Sequence, residues 1–337
     1  MTAAVYVSNA ESGDITVFSL DERTGTLTRR QDVAVGGTLM PMALSPDRRR
    51  LYVARRSAPL AVIGFSIDPA SGRLAPLGEA PLAHSMAYIA TDRSGRHLFS
   101  ASYGGHLVAV NPIDADGKPQ AARQIIPTGS NAHCVQADAA NRHVYATCLG
   151  SGVVMHWHFD AASGTLAPAE PAAWEAPPGS GPRHFVFAPG GRFIYLLGEL
   201  DGSITVLGVD AASGALTALQ SLAMLPPGFT GEPWAADLHL TPDGRFLYAC
   251  ERRSSTLAII AVDALDGRLA APRYVPTEAQ PRGFAIDARG LFLVAAGQLS
   301  HRVTLYAIDP DSGALAVRDT AAAGRDPNWV EIVALSE

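Results

Sequence analysis

Four residues scattered over about 150 positions, His133, Arg183, Glu199 and Arg282, are of the types that open an ester. An imidazole or carboxylate can move a proton, and guanidinium groups can hold an oxyanion. Their spacing unites them. Twelve residues before a recurring position stand Met40, Ala87, His133, Arg183, Ala236 and Arg282; four residues after it stand Arg56, Tyr103, Leu149, Glu199, Arg252 and Gln298. If that position marks equivalent places in a repeated unit, both series face one axis. Arg55, Asp237 and Glu251 lie one step away, and His184 and His301 at the rim. The candidates that converge on this axis are therefore His133, Arg183, Glu199 and Arg282, with Arg56, Tyr103, His184, Asp237, Arg252, Gln298 and His301 around them as further site candidates. Singly, each charge also reads as a solvated loop residue. Together, at least three arginines around one mouth in a chain of net charge −6 would draw in an anion and grip carboxylate or phosphate.

The repeated unit is legible in two phrases. Asp21, Asp68, Asp114, Asp160, Asp210, Asp263 and Asp309 each open a "DAASG"-like turn, degraded at Asp114, at intervals of 47, 46, 46, 50, 53 and 46 residues. A turn of the "PDGR" type leads six times into a short apolar run whose anchor is Tyr52, Phe99, Tyr145, Tyr195, Tyr248 or Val294. With Tyr6 these anchors are spaced 46, 47, 46, 50, 53 and 46 apart. Two markers in one register establish a repeat.

One unit reads as four short strands: "HFVFA", "FIYLL", "SITVLGV" and "LTALQ", joined by "PGGR", "GELDG" and "DAASG". Gly in such a turn takes the positive φ that closes a hairpin, and Asp bonds the backbone ahead of it. Four antiparallel strands per forty-odd residues without helical periodicity predict the blade of an all-β propeller. The N-terminal "VYVSNA" lacks a first strand and the C-terminal "NWVEIVAL" has nothing after it, so the two ends should share a blade and close the ring. The expectation is one seven-bladed domain over residues 1–337; a six-bladed ring with a stray hairpin is the alternative. The two longer intervals enlarge the loops "WEAPPGSGPRH" and "LPPGFTGEPW" on the face that carries both charged series, where function usually sits.

Motifs for other chemistries are missing: no GxSxG, HExxH, CxxC or GxxxxGK[ST] occurs, and no cofactor is expected. "HWH" at His156 to His158 reads as a surface strand, with a metal pair as the alternative, and Asp237, Glu199 and His133 could together hold a divalent ion. Charge without a basic run argues against nucleic acid, and no apolar run reaches the roughly 18 residues that cross a bilayer. Three cysteines and no basic-apolar leader point to reduced thiols in the cytoplasm.

"GPRHFVF" from Gly181, "WAADLHLTPDGRFLYACER" from Trp234, "PTEAQPRGF" from Pro276 and "GQLSH" from Gly297 resemble the propeller-type 6-phosphogluconolactonases, within the lactonase group that includes carboxymuconate-lactonising enzymes. The resemblance covers essentially the whole chain. It implies hydrolysis of 6-phospho-D-glucono-1,5-lactone in the pentose phosphate pathway without a required metal, a small anionic lactone as partner, and a His, a Glu and two Arg at His133, Glu199, Arg183 and Arg282. "SYGGHLVAV" departs from it by carrying His106 where a smaller residue is usual. Glu199 or His133 would serve as base and the other as acid, with Arg183 and Arg282 on the oxyanion and Arg56 and Arg252 on the phosphate. A lactonase for another sugar acid or a muconate, and a non-catalytic scaffold, are the other readings.

Overall fold

The computed structural model describes residues 2–336, and its regular elements are all strands. They form seven four-stranded antiparallel sheets. The innermost strands, Pro327–Ala334, Leu39–Leu44, Tyr88–Thr91, Ala132–Ala137, Pro182–Phe187, Ala235–Leu240 and Pro281–Ile286, touch in that cyclic order and close a seven-bladed ring. Blade 1 is built from both chain ends. Its strand Thr2–Asn9 pairs with Pro327–Ala334 from Ala3 opposite Ala334 to Asn9 opposite Pro327. The closure read from the termini therefore holds, and the six-bladed alternative falls.

The two sequence phrases keep one register because they touch. In the Asp210 turn the carboxylate accepts the amides of Ala212 and Ser213, at 3.2 and 2.8 Å, and Gly214 sits at φ 74°. That leaves the Gly214 carbonyl facing the preceding blade, where the Tyr145 hydroxyl donates to it at 2.7 Å. The same bond joins Tyr6 to Gly72, Tyr52 to Gly117, Tyr195 to Gly267 and Tyr248 to Gly313. Each anchor tyrosine is fully buried, so each bond satisfies two groups that would otherwise be costly to bury. Only Phe99 and Val294 lack the hydroxyl.

Seven apolar clusters fill the seven interfaces between adjacent blades, rather than one central core. Ile15 and Val17 of blade 1 pack on Leu51 and Val53 of blade 2, for example. The middle of the ring is left as a channel, and its lining is free to be polar.

Candidate functional site

A β-bulge aims the site. In the innermost strands the pairing slips between Leu39 and Met42, Ala132 and Cys134, Pro182 and Phe185, Ala235 and Asp237, and Pro281 and Gly283. The slip falls on Met40, His133, Arg183, Ala236 and Arg282, the whole twelve-residue series except Ala87. An unpaired residue in a bulge re-aims its side chain, which explains why this one register position supplies the channel. In blade 5 the slip spans two residues, so that Arg183 and His184 are both buried.

Glu199 is the centre of the upper mouth. Arg183 Nε lies 2.6 Å from its Oε2, close but without the alignment of a hydrogen bond, and Arg252 Nη2 lies 3.2 Å from the same oxygen. Trp234 Nε1 donates to Oε1 at 3.1 Å. Burial would raise the Glu199 pKa, but the charges of Arg183, Arg252 and Arg282 outweigh it and hold the carboxyl below its ordinary value. Arg183, 1% exposed, also donates from Nη1 to the Ala236 carbonyl across the blade boundary. Arg252 lies over the Trp234 ring at 3.8 Å and donates to the Trp234 and Ala235 carbonyls. Expected at the far end of the substrate, Arg252 is instead tied to Glu199. Arg282 makes no hydrogen bond or ion pair with the described residues and feels Arg183, Arg56 and Glu199 from a distance. Arg56 spends Nε on Ser85 Oγ and Nη1 on Met40 Sδ, both at 3.0 Å. Burial lowers the pKa of Arg56, Arg252 and Arg282, and the neighbouring arginines add to this for the last two. An entering anion relieves that repulsion.

Below the arginines lies an imidazole layer. His133 packs edge-on to Tyr103 at 6.0 Å and to His184 at 5.0 Å. Burial, then Arg183, His184, Arg282 and Arg252, push its pKa well down, so the ring is neutral. His184 Nδ1 lies 2.8 Å from Asp237 Oδ1, and its pKa falls to about 4 through burial and Arg183 against the pull of Asp237. His133 Nδ1 and His184 Nε2 are buried without a hydrogen-bond partner. Asp237 also bonds His239 Nε2 at 3.1 Å and accepts the amides of Leu238 and Phe284. A cavity of about 210 Å³ opens from the opposite mouth, lined by Tyr88, Asp237, His239, Phe284, Trp329 and Glu331 among others.

The remaining candidates have structural partners of their own. Tyr103 is 40% exposed at the rim, and Gln298 bridges Gln280 and Asp326. His301 is a turn residue: it sits at φ 55°, and its Nδ1 accepts the Asp326 amide at 3.2 Å. His106 is its counterpart, at φ 52°, accepting the Asn131 amide at 2.9 Å. Gly13, Gly152 and Gly202 fill the same turn position elsewhere, all at positive φ, so the departure at His106 is a loop staple. Glu251 accepts the Trp234 and Ser254 amides. Arg55 pairs with Glu79 at the surface. His156 is not a surface residue: it is 3% exposed, stacked on Tyr145 at 4.6 Å and bonded to His143 at 2.9 Å. Glu199 and Asp237 are spent on different partners, and no group of three His, Cys, Asp or Glu among the described residues is arranged to hold a metal. Trp234 is one site residue the sequence reading missed, as are Tyr88, His239 and Trp329 around His184 and Asp237; the signal for Trp234 was an aromatic at the end of the enlarged loop, two places before Ala236.

Residues 2–332 match the family described as "Lactonase, 7-bladed beta-propeller". The chain is 41% identical over 335 residues to the 6-phosphogluconolactonase of Pectobacterium carotovorum and 39% over 334 residues to that of Sodalis glossinidius, covering 99% of this chain and 100% of each relative. Its fold is similar to a periplasmic gluconolactonase of Pseudomonas aeruginosa, with a TM-score of 0.92, 29% identity and full coverage of both chains.

Proposed function

The chain belongs to the seven-bladed β-propeller lactonases, and from that premise we propose that it hydrolyses 6-phospho-D-glucono-1,5-lactone to 6-phospho-D-gluconate. Hydrolysis of a lactone, a cyclic ester, is carboxylic ester hydrolase chemistry, and with this substrate it is a step of the pentose phosphate pathway. The observation that carries the phosphorylated substrate is the excess of positive charge: Arg183, Arg252 and Arg282 bear on the single carboxylate of Glu199, Arg56 bears on Arg282, and Arg282 makes no hydrogen bond or ion pair with the described residues. An anionic substrate supplies what the site lacks.

Glu199, held ionised, is a poor acid; its work is to clamp Arg183 and Arg252. Their remaining N–H groups stabilise the oxyanion that forms as water adds to the carbonyl carbon. A neutral channel imidazole takes the proton from that water. The ring C–O bond then breaks and the proton goes to the departing oxygen, so one water is consumed and one hydroxy acid formed. Arg282, given to the oxyanion by the resemblance, is assigned here with Arg56 to the phosphate, because it makes no hydrogen bond or ion pair with the described residues and lies in the field of Arg56. The net charge of −6 argues against nucleic acid or an anionic membrane surface as partner, and the local arginines support a small anion. Three free buried thiols, Cys134, Cys148 and Cys250, with pKa values raised by burial to about 12, 11 and 12, support a cytoplasmic home.

The test is a substrate panel followed by acid release, with the spontaneous rate subtracted: phosphorylated gluconolactone, plain gluconolactone and an aldarolactone. The phosphorylated lactone should have by far the highest kcat/KM. Equal efficiency on plain gluconolactone, the substrate named for the Pseudomonas structure, would replace this reading with a general sugar lactonase. Rates no better than spontaneous would leave a binding platform.

A further inference from the structure

Asp237 is the most heavily engaged carboxylate of the channel. It accepts from two imidazoles, His184 and His239, and from two backbone amides, Leu238 and Phe284. A carboxylate so surrounded stays ionised, and its pKa is driven far down by these partners in spite of burial. An ionised carboxylate at 2.8 Å from Nδ1 requires the proton of neutral His184 to sit on Nδ1. The lone pair is then on Nε2, which is buried and has no protein partner. A buried acceptor left unpaired is expensive unless something else fills it, and here the neighbouring ring, His133 at 5.0 Å, carries a second unpartnered nitrogen. The Tyr88 and Trp329 rings close the other sides of His184, edge-on at 5.1 and 5.8 Å, and fix the plane of its imidazole.

We propose that Asp237 is a positioning residue that pins His184 as the Nδ1–H tautomer, so that Nε2 of His184 is the acceptor for the proton of the attacking water. This rests on the lactonase reading above and assigns its base. The step balances. The water O–H breaks, the proton passes to Nε2, and the oxygen bonds to the carbonyl carbon. When the ring C–O bond breaks, the same proton returns to the departing oxygen. The charge that His184 carries in between lies against Asp237. His133 has no such carboxylate and faces Arg183, Arg282 and Arg252, so its protonated form is the less favourable of the two. The groups that bear on His184 are Arg183 beside it on its own strand, His133 from the adjacent blade 4, Tyr88 from blade 3 across the channel, and Asp237 with His239 from blade 6, the latter in turn feeling Glu331.

The experiment combines nitrogen-15 NMR of the histidine rings with kinetics. In the wild-type enzyme the His184 signals, assigned by their loss in His184→Gln, should show Nδ1 protonated and Nε2 bare at pH 7. Asp237→Asn should shift that ring toward the other tautomer and lower kcat by about 10²-fold or more while KM stays within about threefold. His184→Gln should lower kcat comparably. A wild-type His184 protonated at Nε2 would overturn the proposal, as would a folded Asp237→Asn, or a folded His184→Gln, that keeps kcat within threefold. If Asp237→Asn does not fold, the wild-type tautomer and His184→Gln decide. The tautomer is read without substrate, so failure of the phosphorylated lactone in the panel leaves this test standing.

Discussion

Arg183 Nε stands 2.6 Å from Glu199 Oε2, inside a mouth where Arg252 reaches the same oxygen at 3.2 Å. One carboxylate thus orders two guanidiniums contributed by different blades, and the arginines in turn keep it ionised.

Glu199→Gln keeps the shape and the Trp234 contact but leaves the arginines without their counter-charge. The expected outcome is a fall in kcat/KM of about 10²-fold or more, carried mainly by kcat. Steady-state kinetics check it, together with a melt showing that the variant is folded. A variant within threefold of wild type would remove Glu199 from the mechanism.

The imidazole layer sets how the protein responds to acid. His133 and His184 have folded pKa values below 6.5, and His156 is lowered to about 4 by burial and by His143. The unfolded chain therefore binds more protons than the folded one as pH falls below about 6.5, and stability declines from there to about pH 4. For His184 the drop from 6.5 to about 4 corresponds to on the order of 3 kcal/mol. His239 opposes this, its raised pKa adding stability below 6.5. A melting curve series from pH 8 to 4 should show Tm falling through the window. His184→Gln should flatten the fall, and a Tm constant across the range would contradict the neutral imidazole layer.

Tyr248→Phe removes the hydroxyl that donates to the Gly313 carbonyl at 2.7 Å and leaves that carbonyl unpaired at a blade interface. It should cost about 1–3 kcal/mol by denaturant titration and leave kcat unchanged. Tyr145→Phe breaks the equivalent bond to Gly214 at a distant interface, so the two losses should add.

The sequence carried the register of these bonds but not the bonds. Equal spacing of tyrosines and turn aspartates revealed the repeat, because every blade meets the same geometric demand. What repeats can be read; what interrupts the ladder cannot. A bulge at Arg183 and His184 leaves no mark in residue types, so His184 and Asp237 were visible only as neighbours of the series. Periodicity equally does not show that His301, at φ 55°, fills a turn position that Gly152 and Gly202 fill in other blades. The stacking of Arg252 on Trp234 joins a turn of regular length to the enlarged loop that ends at Trp234, and no spacing rule foretells it.

Removal of residues 327–337 takes away the innermost strand of blade 1, including Asn328, which is fully buried and bonded to the Leu39 carbonyl of blade 2. Thr2–Asn9 then presents an open edge to the channel. The truncated protein should aggregate or unfold without a cooperative transition. A truncation with unchanged Tm would mean that the ring closes without that strand.

The arginines separate binding from chemistry. Arg282 makes no hydrogen bond or ion pair with the described residues, so Arg282→Ala breaks no contact in the protein and acts through the positive charge it removes. Its KM for the phosphorylated lactone should rise, about tenfold or more, with little change for the plain lactone, and added salt should mimic part of the effect. Arg252 is bound to Glu199, Trp234 and Ala235, so Arg252→Ala disorders the clamp and should act on kcat for both lactones. Asp210→Ala is the control, since its turn lies on the opposite face and its carboxylate serves only Ala212 and Ser213. It should leave both constants alone. If Asp210→Ala impairs turnover as severely as Arg252→Ala, the reacting groups lie on the face of the DAASG-type turns and not at the mouth that carries Glu199 and Arg252.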